Sequence, residues 1–414
     1  MTHARRLLRQ LFDAALAAVS PQRLMPQFVS RLPDRSLIVI GAGKAAAAMA
    51  RELEMHRDDV AGLVIVPYGH AVECRRIEVI EAAHPVPDAA GVAATMRLLA
   101  LVSDLKADDT VVCLLSGGGS SLLTLPIQGI TLEDKQSVTR QLLRSGAAID
   151  EINCVRKHLS AIKGGKLALA CAPARVVTFA ISDVPGNDAA TIASGPTVPD
   201  VTTSSEALAI VDRYGIRIAE RARDQLSHDH SVDLSTDTEF HILATSEHAL
   251  EAAAEHAKRQ GVAPLILGDL EGDARELALE HARLARDIVA DKGPVNVPCV
   301  ILSGGETTVR VQGTGRGGRN GEYALALALE LDGHPEISGI ACDTDGIDGT
   351  GDNAGCIIAP DSLQRAAARS IDARQALDNN DCYAFFAALD DLIMTGPTLT
   401  NVNDFRAILI GSGD

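Results

Sequence analysis

Residues 36–44 read SLIVIGAGK, an apolar run that closes on two glycines and a lysine. The run 36–41 predicts a buried strand, and the alanine-rich stretch 44–55 predicts the helix that follows it. Short apolar runs and longer helical stretches go on alternating through the rest of the chain. Because this alternation is typical of parallel sheets with helices on both faces, we predict an α/β protein.

The same periodicity places the other elements along the chain. The other predicted strands are 62–66, 76–80, 109–115, 174–181, 238–244, 264–267, 297–302, 307–311 and 337–342. The other predicted helices are 1–20, 88–104, 132–145, 149–163, 203–213, 246–261, 272–290, 319–331 and 361–369.

The chain has 414 residues, which is enough for two domains. The polar stretch 225–237 is rich in Ser, Asp and His and predicts a linker. We therefore predict a Rossmann-like, mostly parallel α/β domain over 1–236 and a second α/β domain over 237–379. Whether residues 380–414 return to the first domain is left open.

Charge and composition limit the possible partners. The 38 Lys and Arg residues against 55 Asp and Glu residues leave a net charge of −17, which disfavours nucleic-acid binding. No apolar run approaches the roughly 18 residues that a membrane-spanning helix needs. The eight cysteines are scattered without C-x₂-C spacing, so we expect a reducing compartment, the cytoplasm. A homodimer is left open.

Two stretches of the chain echo each other. Residues 111–121 read VVCLLSGGGSS and 298–308 read PCVILSGGETT, each a buried strand that runs into Ser-Gly-Gly. Such loops either bind a phosphate or carboxylate through successive backbone N–H groups or are tight turns with no ligand. The candidate binding residues are Ser116, Gly117, Gly118, Gly119, Ser120, Gly304, Gly305 and Glu306.

The stretch 41–46 (GAGKAA) fits the G-x-G-x-x-A fingerprint of dinucleotide-binding folds. That fingerprint also needs a carboxylate at the end of the second strand to hold the ribose. Here the second strand is followed by Pro67-Tyr68-Gly69-His70, so the NAD interpretation is disfavoured. Lys44 stays either a surface lysine or an anion-binding lysine at a helix start.

Residues 153–166 (NCVRKHLSAIKGGK) bring five potential cations into one predicted helix, where Arg156 and Lys163 share a face. Arg156 and Lys157 are candidates for anion contact, with a solvated basic face as the alternative. The loop 182–188 (SDVPGND) follows a strand, where α/β enzymes hold ligands. Asp183 there either binds a metal, accepts a proton or caps a turn, and Asn187 is a candidate ligand contact.

Two further loops carry charge. Arg316 and Arg319 in 313–322 (GTGRGGRNGE) precede a helix and indicate a carboxylate or phosphate. The acidic loop 343–352 (DTDGIDGTGD) fails the spacing of an EF-hand and suits Mg²⁺ on a nucleotide better. Asp343 and Asp345 are the candidate metal ligands.

Together these stretches resemble the class II glycerate 2-kinase family, whose C-terminal region is called MOFRL and whose members carry an older name, hydroxypyruvate reductase. Further stretches that carry the resemblance are HPVPD (84–88), ASGPT (193–197), GDLEGDA (268–274) and TGPTLTNVND (395–404). The sequence departs from the family pattern at Gly321 and Cys356. The first departure is expected to soften the helix start beside the site.

The resemblance implies a two-domain enzyme with its active site in the inter-domain cleft, which phosphorylates D-glycerate to 2-phosphoglycerate with ATP and Mg²⁺ or another divalent cation. It implies that Lys44 and Arg319 are catalytic cations and Asp183 an essential carboxylate. Which Gly loop binds nucleotide and which binds glycerate is left open. The rival functions are an NAD(P)H-dependent hydroxypyruvate reductase and a non-catalytic nucleotide- or anion-binding protein.

Overall fold

The computed structural model describes residues 2–228 and 237–411. Within them the chain forms two compact units. The parallel-sheet unit is Leu24–Leu243, and the mixed-sheet unit consists of the residues up to Arg23 and those from Ala244 onward.

The bounds of the elements are as follows, in chain order. The strands are β1 (Leu37–Ala42), β2 (Val60–Pro67), β3 (Ile77–Ala82), β4 (Thr110–Leu115), β5 (Arg175–Ile181), β6 (Thr238–Ala244), β7 (Ala263–Asp269), β8 (Gly272–Asp273), β9 (Cys299–Gly304), β10 (Thr307–Thr308), β11 (Ile337–Asp343), β12 (Gly355–Ile358), β13 (Leu392–Ile393) and β14 (Asp404–Ile410). The helices are α1 (His3–Ala18), α2 (Pro21–Val29), α3 (Ala46–His56), α4 (Ala89–Leu101), α5 (Gly119–Leu122), α6 (Leu132–Ser145), α7 (Ile149–His158), α8 (Lys166–Ala170), α9 (Ser204–Arg213), α10 (Glu220–Ser227), α11 (Ser246–Arg259), α12 (Ala274–Val289), α13 (Arg319–Leu331), α14 (Ser362–Ala368), α15 (Ala373–Asp378) and α16 (Cys382–Leu389).

The parallel-sheet unit contains a six-stranded sheet in the order β3-β2-β1-β4-β5-β6. This is the strand order of the Rossmann fold, in which the chain reverses direction across the sheet between β1 and β4. All six residues of β4 are buried, as expected for a strand covered on both faces. The prediction of a Rossmann-like parallel sheet is confirmed.

Four helices of this unit, α6, α7, α9 and α10, share an apolar core of their own. Val138, Val155 and Val211 lie at its centre, each at most 3% exposed. This core lies apart from the one that covers the sheet. Helix α7, which carries Arg156, Lys157 and His158, thus belongs to a small helical layer.

The mixed-sheet unit is built on a sheet in the order β13-β12-β11-β14-β9-β7. The strand pairs are antiparallel except for β7 with β9. Helix α1 packs in this unit, where the rings of Phe12 and Phe405 lie 5.6 Å apart. No helix in the described parts of the chain combines the length and apolar character needed to cross a bilayer.

Helix α1, which was predicted in the first domain, and strand β14, whose domain was left open, both belong to the mixed-sheet unit. Strand β14 does not return to the parallel sheet: it pairs with β11 and β9, and all seven of its residues are buried. An apolar run carries no information about which sheet it joins, because many sheets would bury it equally well.

The boundary between the units also moves. It falls between Leu243 and Ala244 rather than at residue 236, since β6 completes the parallel sheet. Most of the predicted linker, residues 229–236, lies outside the described residues. Strands β12 and β13 and helices α15 and α16 were not predicted, because they are short and carry little periodicity.

Candidate functional site

The loops after β1 and β4 meet at the carboxyl edge of the parallel sheet, at the point where the strand order reverses. The backbone N–H of Lys44 donates to the carbonyl of Gly117 at 2.9 Å. The N–H of Ala45 donates to Ser116 Oγ, also at 2.9 Å. Open α/β sheets hold their ligands at this place. The structure therefore brings Lys44 together with the loop of residues 116–120, which we call the SGGGS loop.

Two glycines are required by the packing of these loops. A Cβ on Gly43, which has φ +136°, would lie 2.2 Å from Ser116 Oγ, and one on Gly41 would lie 2.1 Å from the carbonyl oxygen of Leu114. The fingerprint glycines thus let two neighbouring loops interlock. Ser116 holds the Lys44 loop, whereas a phosphate-binding role for its hydroxyl stays a prediction.

Asp183 lies two residues beyond β5, which is the neighbour of β4 in the sheet. Lys44, the SGGGS loop and Asp183 therefore follow three neighbouring parallel strands at one edge. Asn187 comes shortly afterwards in a turn, with φ +56°, and its N–H donates to Val184 O at 3.0 Å. The structure thus places Asn187 on the Asp183 loop, and its contact with a ligand stays a prediction.

Lys163 contacts the SGGGS loop, and sequence analysis assigns it no specific role. Its Nζ donates to Ser120 O at 2.7 Å, and its side chain is fully buried. Ser120 Oγ lies 2.9 Å from Ser194 Oγ, and Ser194 in turn lies 3.4 Å from Asn153 Oδ1. Ser194 has φ +62°, a conformation that a non-glycine residue adopts at some cost.

Helix α7 ends at His158, so the predicted helical face that joins Arg156 to Lys163 does not exist. Gly164 and Gly165 have positive φ and continue the chain as a turn. Burial lowers the pKa of Lys163, and the charges of Lys135 and Arg156 act in the same direction. Lys157 instead forms a buried ion pair with Asp200, with Nζ and Oδ1 3.4 Å apart.

In the mixed-sheet unit, Arg319 begins α13 and is held by three carboxylates. Its Nε lies 2.8 Å from Asp404 Oδ1, and its Nη1 lies 2.6 Å from Glu306 Oε1. Its Nη2 lies 2.8 Å from Asp343 Oδ2. Burial would lower the pKa of Arg319, but these carboxylates outweigh it and raise the pKa above its usual range. The side chain is a fixed cation within an acidic cluster.

This acidic cluster forms where three strands meet. Asp343 ends β11 and is paired in register with Asp404, the first residue of β14, while Glu306 follows β9. Asp404 also pairs with the buried guanidinium of Arg406. Asp404 was missed as a site residue, although the stretch 395–404 had been singled out. An isolated acidic residue at a strand start gives no signal of its partner.

Asp348 fixes the start of α13. Its two carboxylate oxygens accept from the N–H groups of Asn320 and Gly321, at 2.9 and 2.8 Å. Burial raises its pKa to about 6, although these hydrogen bonds act in the opposite direction. A Cβ on Gly321 would lie 3.3 Å from Asp348 Oδ2, so the small residue leaves room for this contact. The expected softening of the helix start at Gly321 is offset by its bond to Asp348.

Arg316 does not face the acidic cluster, contrary to the expectation that it would bind an anion beside Arg319. Its guanidinium lies 3.8 Å from the centre of the Tyr383 ring and 3.1 Å from Asp352 Oδ1.

Gly304 and Gly305 lack side chains for packing reasons, since a Cβ on Gly304 would lie 2.1 Å from Ser246 Oγ. Glu306 holds Arg319 and stays only a predicted ligand contact.

The metal prediction rests on oxygen atoms that already have partners. Asp343 Oδ1 accepts from the N–H of Asp345, and Asp345 Oδ1 accepts from the N–H of Ile347. Over residues 2–228 and 237–411, no three His, Cys, Asp or Glu side chains are grouped to hold a metal ion. Within the same residues, the buried Asn320 Oδ1 accepts no hydrogen bond. This donor set fits Mg²⁺ carried by phosphates, which needs only one or two carboxylates.

The NAD fingerprint is incomplete in the structure as well. Strand β2 ends at Pro67, and the next turn carries no acidic residue of its own. Glu81 of β3 reaches this turn, but its Oε1 accepts from the N–H of Gly69 at 2.6 Å. The edge of the sheet that would hold a ribose therefore lacks the expected carboxylate on β2.

Known proteins resemble this chain along its whole length. A family model described as a domain of unknown function (DUF4147) matches residues 7–227, and the MOFRL family model matches residues 299–404. A protein of Agrobacterium vitis named putative hydroxypyruvate reductase is 51% identical, over 99% of this chain and 95% of its own. The D-glycerate 2-kinase of Thermotoga maritima is 38% identical over 98% of each chain.

The fold is shared as well. The crystal structure of glycerate kinase from Thermotoga maritima matches with a TM-score of 0.91 at 38% identity, over 98% of this chain and 99% of that one. The chain therefore belongs to the MOFRL family of glycerate 2-kinases.

Proposed function

We propose that this protein transfers the γ-phosphoryl group of ATP to D-glycerate and forms 2-phosphoglycerate and ADP. The observation that carries the proposal is the full-length likeness to D-glycerate 2-kinase in both sequence and fold. The local chemistry agrees with it, since phosphoryl transfer relies on positioned cations and on carboxylates near the metal. We place the reaction in the cytoplasm.

In this proposal the 2-hydroxyl oxygen of glycerate attacks the γ-phosphorus, and the bond from that phosphorus to the β,γ-bridging oxygen breaks. Asp183 accepts the hydroxyl proton. Lys44 and Arg319 stabilise the negative charge of the transferring phosphoryl group. Mg²⁺ would be held by Asp343 and Asp345, and when bound it would neutralise phosphate charge.

The test is a phosphorus NMR spectrum of the products from D-glycerate and ATP, in which the 2- and 3-phosphates give separate signals. A signal from 2-phosphoglycerate supports the proposal. Turnover that yields only the 3-phosphate would show the same reaction class with another acceptor oxygen and would overturn the assignment of the product.

Reduction of hydroxypyruvate is the second candidate function, because the 51% identical relative carries that name. Strand β2 ends at Pro67 without the carboxylate that would hold the ribose, which argues against a bound dinucleotide. Mixing the protein with NADH and hydroxypyruvate and following absorbance separates the two activities. If neither activity is found, a non-catalytic binding protein becomes the better interpretation.

A further inference from the structure

Three cationic side chains in the parallel-sheet unit have no carboxylate partner among residues 2–228 and 237–411. They are Lys135 on α6, Arg156 on α7 and Lys163 just after α7, and we call them the cation cluster. Lys135 is 5% exposed and Lys163 is 0% exposed. The Nζ of Lys135 is buried and makes no hydrogen bond within the described residues. Arg156 is half-buried.

The elements that carry the three cations pack together. Helices α6 and α7 share one apolar core, and Ser194 links Asn153 of α7 to Ser120, which accepts a hydrogen bond from Lys163. Burial, together with the smaller effect of the charges of Arg156 and Lys166, lowers the pKa of Lys135 to about 7. Burial likewise lowers the pKa of Lys163, and the charges of Lys135 and Arg156 add to this effect. Like charges held together in a buried place repel each other. This arrangement therefore lowers the free energy of unfolding.

Lys157, a neighbouring lysine, is a buried cation whose charge is compensated by a carboxylate. Lys157, next to Arg156 on the same helix, is 5% exposed and pairs with Asp200. Asp200 also accepts from Thr202 Oγ1 at 2.7 Å and lies within 3.8 Å of His158 Nε2. Among the residues that the structure describes, an acid contacts Lys157 but none contacts the cation cluster. Burying a charged group without a partner is costly, and an anionic ligand would supply the missing negative charge.

The cation cluster is connected to the SGGGS loop. Lys163 donates from Nζ to Ser120 O at 2.7 Å and lies 3.5 Å from Ala193 O. Ser120 Oγ and Ser194 Oγ, 2.9 Å apart, add hydroxyl groups beside it. This loop follows β4 at the reversal of the strand order, where ligands of open sheets bind.

We propose that the cation cluster and the SGGGS loop bind the phosphate groups of the nucleotide. The charge decides between the two substrates: three cations call for a polyanion, which a nucleotide polyphosphate is, whereas glycerate carries a single carboxylate. This inference rests on the proposed function and assigns the nucleotide to the loop of residues 116–120 rather than to that of residues 304–306.

The test replaces Lys135 by methionine, which keeps the length of the side chain and removes its charge. Arg140→Met is the matched control, because Arg140 is an exposed cation on the same helix α6. Isothermal titration of ADP and, separately, of D-glycerate into each variant measures both affinities. We expect Lys135→Met to weaken ADP binding by about tenfold or more, the usual scale for one charge-assisted contact. Binding of D-glycerate by Lys135→Met, and of both ligands by Arg140→Met, is expected to stay unchanged.

A second measurement covers the possibility that Lys135→Met disturbs the fold. Inorganic tripolyphosphate is expected to raise the melting temperature of the wild-type protein and of Arg140→Met, and to raise that of Lys135→Met much less. Without any anion, Lys135→Met is expected to melt above the wild type, because one uncompensated cation is gone. A lower melting temperature without anion would indicate that Lys135 is merely structural and would overturn the proposal.

The remaining outcomes are equally decisive. If Lys135→Met weakens only the binding of D-glycerate, the cation cluster binds the acceptor and the inference is overturned. The inference is also overturned if the variant weakens the binding of both ligands equally or of neither ligand. The proposed function is tested apart from this by wild-type turnover. If the wild type forms 2-phosphoglycerate while Lys135→Met binds ADP normally, only the inference fails. If ADP binding depends on Lys135 but no phosphoglycerate forms, the phosphate site stands and the function fails.

Discussion

Arg319 in the mixed-sheet unit and the cation cluster in the parallel-sheet unit have opposite electrostatic surroundings. In the mixed-sheet unit, Arg319 is contacted by the three carboxylates of Glu306, Asp343 and Asp404. In the parallel-sheet unit, the cation cluster has no carboxylate within the described chain. One centre carries a surplus of negative charge and the other a surplus of positive charge.

The contrast explains why the two centres suit different partners. A guanidinium held at three points keeps one orientation and loses little freedom when a substrate arrives. An uncompensated cation cluster instead lowers stability until an anion binds, which is a recognised cost of binding sites. The excess of carboxylates around Arg319 suits a metal cation that is bound to phosphate groups. The cation cluster suits the phosphate groups themselves.

The largest expected effect tests whether Arg319 is more than a structural cation. Arg319→Ala and Lys44→Ala are each expected to lower kcat by roughly 10²- to 10³-fold, the scale for losing one electrostatic contact in the transition state. Steady-state kinetics with D-glycerate and ATP measures it, and circular dichroism checks the fold. Arg316→Ala is the control, since Arg316 packs on Tyr383, away from the acidic cluster. Unchanged turnover in a folded variant would remove that residue from the mechanism.

The second prediction compares neighbouring cations on α7 and α6. Lys157→Met leaves the buried carboxylate of Asp200 without its lysine and is expected to lower the free energy of unfolding by about 3 kcal/mol. Lys135→Met, measured by the same urea titration, is expected to change stability in the opposite direction. Adding Asp200→Asn to Lys157→Met should recover part of the loss. If both lysine variants destabilise the protein alike, the distinction between paired and unpaired cations is wrong.

The third prediction concerns pH and the cation cluster. Folding lowers the pKa of Lys135 from 10.5 to about 7, so the unfolded chain binds more protons between these values. The free energy of unfolding therefore contains a contribution from Lys135 that rises with pH, by roughly 2 kcal/mol between about pH 7 and 9. Comparing urea unfolding of the wild type and Lys135→Met across this range isolates it. A difference between the two proteins that does not vary with pH contradicts the prediction.

The smallest expected effect has the opposite sign and lies beside Arg319. Burial raises the pKa of Asp348 from 3.8 to about 6, so the folded protein binds more protons between these values. Its contribution to the free energy of unfolding therefore falls as pH rises, by about 2 kcal/mol between about pH 4 and 7. The difference between wild type and Asp348→Asn should decline over this range. Asp352→Asn, at an exposed acid of the same loop, should show no such decline.

Much of the parallel-sheet unit could be predicted from local pattern. The apolar run before Gly41 and the run before Ser116 each identify a buried strand, and glycines at their ends identify loops at the carboxyl edge. Because parallel strands end at the same edge, the sequence pattern is enough to group Lys44, Ser116 and Asp183. Lys135 could not be added, because a single lysine in an amphipathic helix looks like a solvated residue.

The mixed-sheet unit was less accessible to sequence. Its sheet is mostly antiparallel and joins strands that are far apart in the chain, so β14 was assigned to no particular sheet. Arg319 was identified, but Asp404 lies 85 residues away and meets it only because β14 inserts between β11 and β9. Pairings across such separations depend on the whole sheet rather than on local preference.

The sequence by itself determined the α/β class, the family and the identity of the chemical groups, because periodicity, glycine spacing and residue type are local properties. The tertiary structure alone decided which charges are compensated. Lys157 and Arg156 are adjacent in the chain, yet only Lys157 meets a carboxylate, that of Asp200. Whether a charge is paired depends on what folding brings within a few ångströms, and this contact sets its energy.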